Sequence, residues 1–326
     1  MTDTQETWNV EASATLKVKA SRSGPARPRR RGQAALIALA VGALASLGGV
    51  LYSLYRLTGM SDGLDQTGLI ILANSLFSPI IVTAFAGAVG GVAVGGSIAA
   101  RLRGPSRALI AAGFCAVGLL TGAVAYVLFS VDAAVAAALG AILFASAVLG
   151  GLFSLPRARV PVIAGLVSTM VMLAFMYGRG LLETSSVSLF SDPLDEYGAL
   201  GTAAPFVAGL VCGLVAFGLL RGATGKSKLP GYLFAGAMPG AIWLVSTIIA
   251  QAGVEIVLGV GDAEVSSLDS AYLSLAFQSQ YNGSMTAMFA GALCSVLAYG
   301  LLIPKDARSS QSAVGGQDLE EVEFRS

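Results

Sequence analysis

Along the chain, polar and apolar residues segregate into long blocks and do not alternate. Apolar runs cover roughly 34–55, 79–100, 108–131, 133–155, 160–182, 203–221, 231–258 and 284–303. A helix that crosses the hydrocarbon core of a bilayer needs about 20 mostly apolar residues, and each run is near or above that length. Only helices and closed barrels satisfy every backbone polar group in lipid. The runs lack the period-two alternation of a barrel strand, so they predict an all-α bundle of eight transmembrane helices. The expected domain plan is a disordered basic tail over 1–33, a membrane domain over 34–303 and an acidic tail over 304–326.

Composition sharpens this plan. The chain is 55% hydrophobic and 12% charged, against about 25% charge in soluble domains. A soluble protein this apolar would carry large exposed apolar patches, so lipid is the expected solvent. A cleaved signal peptide is the competing reading of the first run, with "ALA" at 43–45 resembling a cleavage site. The run continues to about Leu57, long for a signal core, and a retained helix is expected.

The few charges are sorted by side. Eighteen of the 20 Lys and Arg fall in the two tails or in the loops near 100, 157 and 225. Only Arg56 and Arg179 fall in the alternate loops, which hold eleven acids, among them Asp132, Glu183, Asp192, Glu255 and Asp269. The positive-inside rule then places both termini in the cytoplasm of a cell-membrane protein. Seven of the nine tyrosines map to the outer half, as an interfacial belt would. The basic tail can meet anionic headgroups, or hold the acidic tail or a partner; the plain alternative is a solvated tail that only fixes orientation. Nothing in this distribution calls for nucleic acid.

"FAGAVGGVAVGG" (85–96) holds five glycines in twelve residues. A phosphate-binding loop would need a preceding strand and usually a lysine, and neither is present. Gly87, Gly91 and Gly95 instead step by four, which strips one helix face to backbone. Such faces let neighbouring helices approach closely, and this contact drives helix association in lipid. The pattern returns in "FVAGLVCGLVAFGLL" (206–220) and "MFAGALCSVLAYGLL" (288–302), where Gly209 aligns with Gly291 and Gly213 with Ser295. The fourth run fits with Ala141 and Gly150 in the end columns. "SLFS" at 75–78 and 188–191 precedes two of these runs. The expectation is a repeated helical hairpin, with chance similarity in a Gly/Ala/Leu background as its rival. The faces serve internal packing, membrane-protein partners or a homo-oligomer.

Candidate chemistry is sparse. There is no histidine, so the commonest general base and metal ligand is missing. Cys115, Cys212 and Cys294 lie scattered in apolar runs with neither disulfide nor zinc spacing. No metal or cofactor is expected. Thr247, Gln251 and Glu255 are spaced by four and share one face of the seventh helix. Arg179 ends the fifth helix and Arg56 the first. One reading makes these five a substrate pocket opening outward, with an arginine for an anionic group and Glu255 as its partner. The plainer reading makes the arginines interfacial anchors. Pro239, between Gly236 and Gly240, can kink the long seventh run; a simple tilt accounts for its length equally well. Met170, Met172 and Met176 read as core filler.

Three functional classes emerge: a small-solute permease or transport component, a non-catalytic subunit or scaffold of a membrane complex, and an outer-facing membrane enzyme. For the last, Asp192, Asp195 and Glu196 offer a cation site, but no catalytic motif accompanies them.

Overall fold

The computed structural model describes residues 28–58, 66–99, 107–129, 132–156, 158–184, 193–223, 227–262 and 266–302. Most of the expected basic tail, all of the expected acidic tail and Asp192 therefore lie outside the described residues, as do the side chains of Glu183, Asp195 and Glu196. Contacts divide the chain into Met1–Ala34 and Ala35–Ser326. In the first unit the described part is the helical start at Pro28; the bundle belongs to the second.

The described residues form nine α-helices and one short 3-10 turn, with no strand. They are α1 (Pro28–Thr58), α2 (Gln66–Ser75), α3 (Phe77–Ala99), α4 (Arg107–Leu128), α5 (Ala133–Gly151), α6 (Arg159–Thr184), α7 (Pro193–Gly222), α8 (Leu229–Val260) and α9 (Ser267–Leu302). By length and hydropathy these make eight candidate membrane spans, α2 and α3 together supplying the second. The protein is an all-α polytopic bundle. Where the ends of helices are capped, the sequence shows why. Asp132 Oδ1 accepts the amides of Ala134 and Val135 at 2.8 and 3.1 Å, starting α5. Ser266 Oγ accepts the Asp269 amide at 3.1 Å and donates to its carboxylate at 2.6 Å, starting α9. Both satisfy amides that a helix start leaves open.

Three spans start well before the apolar segments read from sequence, among them α7, which begins at Pro193 rather than near 203. The second span reaches back to Gln66 through a break at Leu76, and α9 begins at Ser267 rather than near 284. Residues 267–283 are too polar to register as a span, yet they continue the helix beside α8. Pro239 lies inside an uninterrupted α8.

The core is built from small residues. In the most apolar window of the second span 67% of residues are buried, against 22% in α1, so α3 is central and α1 peripheral. Helices α3, α4 and α5 pack mutually, as do α7, α8 and α9. The contacts in the two groups correspond. A Cβ on Gly87 would strike the Ala147 backbone, and one on Gly209 would meet the Ala287 backbone oxygen at 2.6 Å. Gly91 lies against Ser154, and Gly213 against Gly291 and Cys294. Gly151 lies against Phe114, and Gly291 against Gly236. The unit that recurs is thus a three-helix group. The fourth run enters it in a register that differs from the sequence alignment: Gly151, not Ala141, stands where Gly291 stands. Gly- and Ala-rich strings align in several registers, and only the contacts choose among them.

Most buried hydroxyls are satisfied locally, Thr83 Oγ1 being buried without a partner. Ser146, Ser168, Thr169 and Ser246 donate to the carbonyl four residues earlier in their own helix, at 2.7–3.0 Å. This common helix interaction removes polarity from the interior without linking it into a path. Ser295 differs: its hydroxyl crosses to Tyr232 O at 2.8 Å and ties α9 to α8. Cys212 Sγ likewise reaches Ser168 O at 3.3 Å, joining α7 to α6.

Candidate functional site

At 32 and 36 residues, α8 and α9 would extend about 48 and 54 Å at 1.5 Å per residue. Both exceed a hydrocarbon core of about 30 Å. The surplus forms an antiparallel pair joined near Asp262, the single described non-glycine residue with positive φ, at 45°. Gly261 closes α8 by donating its amide to Val257 O at 3.0 Å.

Between the last turns of α8 and the first turns of α9 lies a half-open groove of about 460 Å³. Thr247, Gln251 and Glu255 line one side, faced by Ser270, Ser274 and Gln278. Tyr281 stands at the Thr247 end and Phe277 forms part of the wall. Thr247 is buried, whereas Gln251 and Glu255 are exposed, so the groove deepens from Glu255 toward Thr247. Thr247 Oγ1 donates to Trp243 O at 3.1 Å, which leaves its lone pairs to accept. On the same two helices, Trp243 Nε1 and Gln280 Oε1 are buried without a hydrogen-bond partner. A buried donor and a buried acceptor left open in this way are unusual in folded proteins.

Glu255 is the one charged side chain lining the groove. Arg179, half-buried on α6, and Arg56, exposed on α1, are not among its lining residues. The structure therefore gathers three of the five residues expected to form a pocket, and adds a second stripe. That stripe is present in the sequence too: Ser270, Ser274 and Gln278 step by four, as Thr247, Gln251 and Glu255 do. It lies before the apolar part of the last helix, where hydropathy gives no sign of a span.

The groove offers hydroxyls, amides and one carboxylate beside apolar walls. That set can hold a small solute by hydrogen bonds and one ionic contact. Among the described residues no three Cys, Asp or Glu side chains gather to hold a metal. No protein-family model matches the chain, and no curated protein or solved structure matches it either.

The glycine face has a different role in the geometry. Gly87, Gly91, Gly95, Gly209, Gly213 and Gly291 all face the chain's own helices, so a Cβ at any of them would meet a neighbour.

Proposed function

We propose that this multi-pass protein is a transport component of the cell membrane, and that the α8/α9 groove receives a small cationic or zwitterionic solute. The observation that carries this reading is the pair of facing polar stripes, Thr247–Gln251–Glu255 and Ser270–Ser274–Gln278, lining one groove. Its volume falls in the range of small-molecule sites, about 300–1,000 Å³. Glu255 supplies the charge preference, Gln251 and Gln278 the orientation, and Thr247 the contact at the deep end. Arg179 and Arg56 act as interfacial anchors in this reading. With both termini in the cytoplasm, as the charge distribution supports, the groove opens outward. The scaffold alternative uses glycine faces for assembly; those of Gly87, Gly91, Gly95, Gly209, Gly213 and Gly291 are occupied within the chain, which weighs against it there, while a Cβ at Gly48, Gly49 or Gly218 would meet open space.

The test is thermal unfolding of the full chain in detergent with a panel of small amines and amino acids, for the parent and Glu255→Gln. A ligand at about 100 times its Kd adds about 2.7 kcal/mol to the folded state. At least one cationic or zwitterionic solute should stabilise the parent and not the variant. If the whole panel leaves the parent unmoved, the reading fails.

A further inference from the structure

At the opposite end of α8, its start at Gly231 lies against Pro161 near the start of α6. Close by, a second cavity of about 360 Å³ opens among the end of α3, the start of α4, the turn after α5 and the start of α6. Its walls include Val92, Ile110, Pro156 and Val162, and two arginines, Arg107 and Arg159, stand at it. We propose that this cavity binds the phosphate of an anionic phospholipid, with the lipid's apolar portion against those walls.

Charge carries the first step. No carboxylate is among the lining residues. Between Gly95 and Val162 the chain holds a single acid, Asp132. That carboxylate is engaged at the far end of α5, on the amides of Ala134 and Val135. Among the described residues, two guanidinium groups from two helices therefore meet at one cavity with no carboxylate lining it. Arg159 Nη2 donates to Gly95 O at 3.0 Å, which fixes its guanidinium over α3. A guanidinium has five N–H donors, so this bond leaves others for a phosphate.

The apolar lining carries the second step. A free phosphate is best held by a polar cradle, whereas here charge and hydrocarbon share one cavity. Basic pockets between membrane helices are suited to lipid headgroups. The matching place in the other three-helix group shows that the cavity is not imposed by the repeat. There Phe217, Tyr232 and Tyr299 fill the space, with ring centroids 5.8 and 4.8 Å apart along the series. In the corresponding contacts, Gly95 and Ile110 stand where Phe217 and Tyr232 stand. Small and aliphatic side chains leave room that the aromatic set takes.

The experiment is native mass spectrometry of the full chain, delipidated in neutral detergent and then given phosphatidylglycerol or phosphatidylcholine. The variants are Arg107→Gln, the Arg107→Gln/Arg159→Gln pair, and Ile110→Tyr, which copies the filled group. The parent should retain phosphatidylglycerol in preference to phosphatidylcholine. The double variant should bind it roughly thirtyfold more weakly, and Arg107→Gln roughly fivefold, from the usual contribution of a basic residue to anionic lipid. Ile110→Tyr should lose it by occlusion. Arg107→Gln keeps the Arg159–Gly95 bond, so it reads the charge even if the double variant unfolds. Equal retention by the parent and Arg107→Gln overturns the proposal, and so does equal retention of the two lipids. Displacement of bound lipid by millimolar inorganic phosphate would reassign the cavity to a free anion and overturn it too.

Discussion

The two three-helix groups solve the same packing problem and differ at one end. In α7–α8–α9, Phe217, Tyr232 and Tyr299 interlock, Arg221 lies 6.0 Å from the Phe217 ring centroid, and the Ser295–Tyr232 bond secures the corner. In α3–α4–α5 the corresponding corner holds Gly95 and Ile110, with a cavity and two arginines beside them. The glycine contacts in the middle of both groups correspond. In such a bundle the close backbone contacts set the fold, while the ends of the helices are free to diverge. One corner is filled by aromatic rings and the other is left open.

The strongest test of this contrast is to empty the filled corner. Phe217 is buried, with 5% of its surface exposed, so Phe217→Ala should cost about 3–5 kcal/mol. Ile110→Ala borders space that is already open and should cost about 2 kcal/mol, the low end for such truncations. Thermal unfolding in detergent reads both. A larger loss at Ile110 than at Phe217 would reverse the assignment of stable and open corners.

Next come the glycines that the two groups share. Overpacking typically costs about 1–3 kcal/mol. Gly213→Leu should lie at the top of that range, because its Cβ meets the Gly291 carbonyl oxygen, backbone that cannot rotate away. Gly91→Leu should lie at the bottom, because its neighbours are the Ser154 and Ile110 side chains. If both variants unfold with the parent, those faces look into lipid. The smallest effect on stability belongs to the groove. Glu255→Gln changes an exposed side chain and should shift stability by no more than about 0.5 kcal/mol, while removing the solute response. A large loss of stability would make Glu255 a structural residue.

Much of the architecture was legible in the sequence because lipid imposes a coarse rule, length and apolarity, that each of the eight runs met. The ends were less legible. Residues 267–283 mix serines, glutamines and tyrosines, so hydropathy stops at 284, but the Ser266 cap and pairing with α8 extend the helix. Half of the groove was lost with that segment. The other half was visible as the Thr247–Gln251–Glu255 step, since one helix face needs no knowledge of its neighbour. Whether Arg179 or Arg56 joins it depends on which helices meet, and one-dimensional spacing carries no such information. The basic cavity was invisible for the same reason: Arg107 and Arg159 lie on different helices, and each by itself reads only as an orientation signal.

The basic cavity and the polar groove lie toward opposite ends of α8, so if α8 crosses the membrane they face opposite sides of it. At one end the start of α8 meets that of α6, through Gly231 and Pro161; at the other, Gly261 meets Leu69 at the start of the second span. Single cysteines at Ser106, Ser186, Ser227 and Ser267 test this with an impermeant thiol reagent on intact cells, the background from Cys115, Cys212 and Cys294 being read on the parent. The expected result is labelling at Ser186→Cys and Ser267→Cys, and at the other two only after the cells are opened. Labelling of Ser106→Cys from outside would contradict this topology.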